Sequence, residues 1–277
     1  MTLHIGSIVR RMNKTLVIVL SALAIAALVA RIVLDQRVLS LVVRTQVSWH
    51  SGLWGELFTR LGKAWLLVWL LLLWFAISRR RQHVLAGLLA LTLVGIVVNP
   101  LKIAVGRPRP RAVLKAQETG QPSQKLSHYV SFPSGDTAVV FACATAILVA
   151  LRWPLRVLAL AAAVAIGILR VTAKAHYPSD VLAGAAIGIL LGWLAMRLVE
   201  RWGWSDRPVP FERELLWGGL LGIPVVVGFS EGLAKMLLFT ATYGLLILAI
   251  GLIHRALSTE QKPYSPTMAL RREEEPP

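Results

Sequence analysis

The stretch VLAGLLALTLVGIVVN, residues 84–99, carries no charged side chain and only one threonine and a closing asparagine besides its apolar residues and glycines. It reads as a membrane-spanning helix. It falls short of the roughly 20 residues that cross a bilayer, but flanking Trp, Gly and snorkelling Lys or Arg extend such runs. Working outward, seven more runs share its character: Leu16–Leu34, Ala64–Ser78, Thr137–Leu151, Leu155–Leu169, Val181–Val199, Leu215–Ser230 and Met236–Ile253. The first contains Arg31 near its end, which is expected to snorkel. Pro224 in the seventh is a candidate kink. The sequence therefore predicts an all-α, polytopic membrane bundle of six core spans plus two C-terminal spans.

Composition agrees. Of the 277 residues, 56% are hydrophobic and 16% charged, with a mean hydropathy of +0.65. A soluble domain carries about 25% charged residues. Intrinsic disorder is excluded as the main character. The formal charge of +16 would suggest nucleic acid in a soluble protein. Here the charges sit between apolar runs, which points to cytoplasmic loops and an anion site instead. The lone Cys143 lies within an apolar run and allows neither an internal disulfide nor a cysteine metal cluster.

Four segments follow: residues 1–14, a cytoplasmic N-terminal segment; 15–199, the six-span core; 200–256, a linker and two further spans; and 257–277, a polar cytoplasmic tail. A signal-peptide reading of the first run competes with this, because Arg10, Arg11 and Lys14 precede it and Ala24-Ile25-Ala26 lies within it. The multi-pass pattern favours an uncleaved span. The N-terminal basic residues, the link Arg79-Arg80-Arg81 and the pair Arg152 and Arg156 fall on one side if the spans alternate. That side is expected to be cytoplasmic. Trp49, Trp54, Trp153, Trp202 and Trp204 sit near span ends, as interfacial Trp do. Gly184, Gly188 and Gly192 recur every four residues and predict close helix packing inside the core.

Three polar segments then fall on the opposite face. The first runs from Lys102 to Arg109-Pro110. The second is Phe132-Pro133-Ser134-Gly135-Asp136-Thr137. The third runs from Arg170 through His176 to Asp180. Lys102, Arg109 and Arg170 are cations able to converge on an anion, and the guanidinium fork matches phosphate geometry. Pro133 precedes the fourth span and Pro178 the sixth, where proline suits a first helical turn. Ser134 and Gly135 then offer free N–H groups at a helix start, an anion site. Asp180, four residues after His176, can fix the imidazole tautomer. Each segment has a plainer reading: headgroup contacts for Lys102, Arg107, Arg109 and Arg111, a turn and cap for Pro-Ser-Gly, an interfacial His176, and a helix cap for Asp180. Their joint placement at span ends on one face argues against all of these together.

These spacings resemble the three-part signature of the type 2 phosphatidic acid phosphatase superfamily: Lys102 with six residues to Arg109-Pro110, then Pro133-Ser134-Gly135, then Arg170 with five residues to His176 and three more to Asp180. The resemblance spans roughly residues 84–199 and points to the membrane branch, which acts on lipid phosphates, undecaprenyl pyrophosphate, phosphatidylglycerophosphate or lipid A. It implies a six-helix core with an outward-facing site in a bacterial cytoplasmic membrane. It implies His176 as the nucleophile that forms a phosphohistidine, with Asp180 orienting it. Lys102, Arg109, Arg170, the Ser134 hydroxyl and the Gly135 N–H are implied to hold the phosphoryl oxygens and stabilise the transition state. The substrate is then a lipid phosphate or pyrophosphate among membrane lipids. No metal, other cofactor or nucleic acid is implied, and no oligomeric state is indicated.

The sequence departs from the family at two places. Leu169 replaces a frequent serine. Asp136 stands where the family has a histidine that protonates the leaving group and then activates water. Beside three cations an aspartate is expected to be ionised. Either the acid comes from elsewhere, with His128 a candidate, or the leaving group needs little help. A pyrophosphate or a sugar 1-phosphate meets the second condition, and Asp136 can still serve as base for water. Two alternatives stay open: a lipid phosphotransferase using the same intermediate, and a non-catalytic phosphate-lipid binding or transport protein. The polar loop Ala112–Ser131 is read as a lid over the headgroup.

Overall fold

A computed structural model of the chain describes residues 2–44, 60, 62–78, 81–121, 130–203, 220 and 223. Within these every regular element is a helix. The first helix, α1 (Thr2–Val29), passes through a π-helical turn at Ala30–Leu34 into α2 (Asp35–Arg44). Then come α3 (Ala64–Ser78), α4 (Arg81–Val105), α5 (Pro110–Thr119), α6 (Gly135–Leu148), α7 (Trp153–Thr172) and α8 (Pro178–Trp202).

Four helical stretches are long and apolar enough to cross a membrane: Lys14–Arg44, Arg81–Thr119, Trp153–Thr172 and Pro178–Arg201. Two shorter apolar helices, Ala64–Ala76 and Gly135–Leu148, accompany them. The apolar side chains Val17, Ile18, Ile25, Leu28 and Ile32 are all exposed along the first helix. A contiguous apolar surface of this kind suits lipid rather than water. The chain is thus a multi-pass helical membrane protein. The final two runs, Leu215–Ser230 and Met236–Ile253, lie outside the described residues except for Leu220 and Ile223. Both of these pack on α3, where the Trp69 indole N–H donates to the Leu220 carbonyl at 3.0 Å.

The shortest of the six apolar core helices after the first residue of its run, α6, is the central one. It is apolar on all sides, as a fully surrounded helix must be, and eight of its residues are buried. It packs between α4 and α8, with α7 alongside, while α1 runs along α8. The glycine stripe of α8 allows this. A Cβ on Gly184 would stand 2.5 Å from the Ser134 carbonyl oxygen, and one on Gly192 equally close to that of Ala142. Gly188 likewise meets the Ala138 carbonyl. The stripe therefore lies inside the core, as expected.

Two boundaries differ from the sequence reading. The apolar run reads to Asn99, yet α4 continues to Val105 with Pro100 inside it. Proline costs one backbone hydrogen bond there, which packed membrane helices tolerate. The extension puts Lys102 in the last helical turn. The expected lid is also partly helix: Pro110–Thr119 forms α5, started by Pro110 and ended by Gly120 at φ +68°. Ser131, at the far end of that stretch, is fully buried.

Candidate active site

The three polar segments meet, and three backbone hydrogen bonds join them pairwise. Ser131 N–H donates to the Arg107 carbonyl at 2.9 Å, linking the first segment to the second. Ser134 N–H donates to the Asp180 carbonyl at 3.0 Å, linking the second to the third. Arg111 N–H donates to the Lys174 carbonyl at 3.0 Å, linking the first to the third. Lys174 has a φ of 54°, a left-handed conformation that lets the chain turn between α7 and α8. The Arg170 carbonyl closes that turn by accepting the N–H groups of Ala175 and His176. The fixed spacing from Arg170 to His176 is therefore the length of this turn.

His176 is 2% exposed. Its Nδ1 stands 3.8 Å from Oδ2 of Asp180, within ion-pair range but beyond hydrogen-bond reach. Such contacts commonly tighten only when substrate is bound. Burial above all, reinforced by the charges of Lys102, Arg109 and Arg170, holds the imidazole pKa down at about 4, against the opposing pull of Asp180. The ring is accordingly neutral near pH 7, the state a nitrogen nucleophile needs.

Asp180 serves two ends. Its Oδ2 accepts the Tyr177 N–H at 3.0 Å, capping α8, and the Ser131 hydroxyl at 2.5 Å. Its Oδ1 accepts Nη1 of Arg107 at 2.5 Å. The helix-cap reading of Asp180 thus holds, and the same carboxylate also anchors Ser131 and Arg107.

The cations are placed less uniformly than expected. Lys102 Nζ donates to the carbonyls of Val130 and Pro133 at 3.1 and 2.7 Å, bracing the strand of chain that leads into α6. Its Cε lies close to Gly135, where an added Cβ would be 3.5 Å away. Arg170 pairs with Asp136, Nη2 to Oδ2, at 3.0 Å. Asp136 therefore occupies a cation that the sequence assigned to the phosphate. The buried Nε atoms of Arg109 and Arg170 and Nδ1 of His176 find no hydrogen-bond partner among the described residues. The Ser134 hydroxyl shares a hydrogen bond with Thr137 at 2.8 Å and is fully buried. That bond takes up part of the hydroxyl's capacity inside the first turn of α6. Gly135 keeps its N–H at the helix start, where the opening N–H groups have no intrahelical acceptor. His128 lies outside the described residues.

Sequence reasoning missed three contributors. Arg107 was read only as a headgroup contact, but it is buried against Asp180, with its guanidinium carbon 3.8 Å from the Tyr177 ring centre. Asp35 joins it from the first helix at 2.6 Å. Gly62 packs on Asp136, so closely that a Cβ there would be 2.9 Å from that of Asp136. A lone acid among apolar membrane residues was the available signal for Asp35.

The sequence pattern of the PAP2 superfamily matches residues 83–204. A lipid A 1-phosphatase of Rhizobium johnstonii is 35% identical over 175 residues, covering 56% of this chain and 71% of that protein. The chain belongs to the PAP2 superfamily. Within that superfamily, a lipid A 1-phosphatase of Porphyromonas gingivalis is 38% identical over 111 residues, 38% of this chain and 21% of that one. The rat glucose-6-phosphatase 3 is 42% identical over 66 residues, 24% of this chain and 16% of that one. Among solved structures, Aquifex aeolicus LpxE is 32% identical, covers 50% of this chain and 81% of its own, and superposes with a TM-score of 0.43. These relatives are phosphatases by name, in keeping with the phosphoric monoester hydrolase that the family resemblance implied.

Proposed function

We propose that this PAP2 protein is a membrane lipid phosphatase that removes the anomeric phosphate of a lipid A-type glycolipid at the outer face of the bacterial cytoplasmic membrane. His176 attacks phosphorus and forms a phosphohistidine. The anomeric oxygen leaves as the oxyanion and takes a proton from water, and a second water, giving its proton to Asp136, attacks the phosphohistidine to release inorganic phosphate and regenerate His176. The observation that carries the reading is a neutral, buried imidazole set between Asp180 and three cations. Arg109, Arg170 and the N-terminus of α6 stabilise the charge that builds on the phosphoryl oxygens. The named relatives support a sugar 1-phosphate as substrate.

Asp136 fits that choice. Held by Arg170 at 3.0 Å, it is a base for the water that attacks the phosphohistidine. An anomeric hydroxyl leaves with less help than an ordinary alkoxide, so the missing histidine acid costs less. As phosphate enters, Arg170 exchanges part of its contact with Asp136 for the substrate.

The test is phosphate release by the detergent-purified protein from a lipid A 1-phosphate, an isoprenyl pyrophosphate, a phosphatidate and a phosphatidylglycerophosphate. The glycolipid is expected to react fastest, with phosphate ending in water rather than on a second lipid. His176→Ala is expected to lower the rate by about a thousandfold or more. Asp136→His is expected to raise phosphatidate turnover relative to the glycolipid. Faster turnover of phosphatidate by the unaltered protein would contradict the substrate assignment. Survival of activity in His176→Ala would contradict the mechanism.

A further inference from the structure

Behind His176 lies a buried ionic cluster that the phosphoryl chemistry does not touch. Asp35 is 1% exposed, Arg107 7% and Asp180 0%. Arg107 sends Nη2 to Oδ2 of Asp35 at 2.6 Å and Nη1 to Oδ1 of Asp180 at 2.5 Å. Ser179 completes the attachment. Its N–H donates to Oδ1 of Asp35 at 3.0 Å, its hydroxyl donates to Oδ2 at 2.7 Å, and that hydroxyl accepts from Arg107 at 2.8 Å. The exposed Arg31 adds a longer contact to Asp35 at 3.8 Å.

Burying three charged groups is expensive, and it is not an efficient way to gain stability. What the arrangement does supply is direction. A guanidinium presents a planar fork that grips one carboxylate with two parallel bonds when both nitrogens are free. Here one arm is taken by Asp35. Asp180 receives only the other arm, on Oδ1. Its Oδ2 is left to the Ser131 hydroxyl, the Tyr177 N–H and the facing His176. Oδ2 already accepts two hydrogen bonds, so the imidazole faces it as a third, longer contact at 3.8 Å.

We propose that Asp35 and Arg107 are positioning residues for the nucleophile: Asp35, on the first membrane helix, holds one arm of Arg107 so that Asp180 keeps Oδ2 turned to His176. Asp35 lies outside the residues that match the superfamily pattern. The π-helical turn Ala30–Leu34 ends at Asp35, whose N–H bonds back to the Ala30 carbonyl. The extra residue in that turn changes which face of the helix Asp35 occupies, and such turns gather at functional sites.

This inference deepens the reading of His176 as nucleophile and rests on it, so the test separates the two. The full chain is assayed in detergent with lipid A 1-phosphate, with folded protein quantified for each variant. His176→Ala comes first; if it keeps activity, the nucleophile reading fails and the relay fails with it. If activity is lost, Asp35→Asn is measured. The relay predicts a fall in kcat of roughly ten- to a hundredfold per folded molecule, the range seen when partners that orient a ligand histidine are removed from metal sites, with KM unchanged. It also predicts non-additivity: in an Asp180→Asn background, Asp35→Asn has less than a threefold effect. Ser179→Ala removes a contact without altering charge and reads the same relay if Asp35→Asn does not fold. It is expected to lower kcat severalfold at constant KM. Unchanged kcat in the folded variants, a change confined to KM, or full additivity with Asp180→Asn would overturn the relay and leave His176 untouched.

Discussion

The two sides of His176 are built on opposite plans. On the side of Asp180, carboxylates, guanidinium, hydroxyls and backbone N–H groups satisfy one another from four parts of the chain. On the side proposed for phosphate, the buried Nε donors of Arg109 and Arg170 have no acceptor among the described residues, and the start of α6 presents N–H groups. A satisfied polar cluster is rigid and costly to break. A cluster of unsatisfied donors is costly to maintain, and an anion that fills it recovers that cost. The difference separates orientation from binding, and it makes distinct predictions for residues only a few positions apart.

The sharpest contrast is between Arg107→Ala and Arg109→Ala. The first leaves two buried carboxylates without their counter-charge. It is expected to lower unfolding stability by about 3–5 kcal/mol, read by thermal or denaturant unfolding in detergent. The second removes a donor that the proposed mechanism assigns to the phosphate. It is expected to leave stability near that of the parent and to lower kcat/KM by about 100- to 1000-fold, the order found for one transition-state donor. Equal stability losses in both would break the comparison.

The pH dependence comes next. The native imidazole has its pKa lowered from 6.5 to about 4. Between those values the unfolded chain takes up a proton that the native state refuses. Stability therefore falls as pH drops from about 6.5 toward 4, and this loss is complete below 4. Its upper bound is roughly 3 kcal/mol at 1.36 kcal/mol per unit. His176→Ala is expected to flatten that part of a stability–pH curve. An unchanged slope would place the proton uptake elsewhere.

A smaller effect is expected at the packing seam that carries both sides. Gly188→Ala forces a methyl against the Ala138 carbonyl and is expected to cost about 1–3 kcal/mol, as overpacking does. KM for the glycolipid should change little, because the seam at Gly188 lies one helical turn beyond Gly184 and the Ser134 carbonyl. At the bottom of the scale, Arg197→Ala breaks a partly exposed pair with Glu200 at 3.5 Å. A stability change within about 0.5 kcal/mol is expected.

The helices were largely legible because membrane spans announce themselves by hydropathy alone. Ala64–Ser78 coincides with α3, and the runs from 84, 137, 155 and 181 fall within or close to α4, α6, α7 and α8. That the three polar segments meet was legible too, because each is short and internally spaced: Arg170 to His176 is one turn, and Asp180 is one helical turn further. The opposite side was not. Asp35 and Arg107 are 72 residues apart, and Asp35 and Ser179 are 144 apart. No local spacing encodes a meeting that depends on how α1 lies along α8. The bond between the Ser134 and Thr137 hydroxyls was not legible for a related reason: the motif fixes where Ser134 sits, but its partner is set by rotamer and packing.

The most direct test is to trap the enzyme during turnover. The protein is mixed with lipid A labelled in its 1-phosphate, quenched within milliseconds in alkali, and its peptides are analysed by mass spectrometry. The account predicts an alkali-stable, acid-labile phosphoryl group on His176, formed faster than phosphate is released and absent in His176→Ala. Phosphate release with no labelled protein at any time, or with the label on another residue, would contradict it.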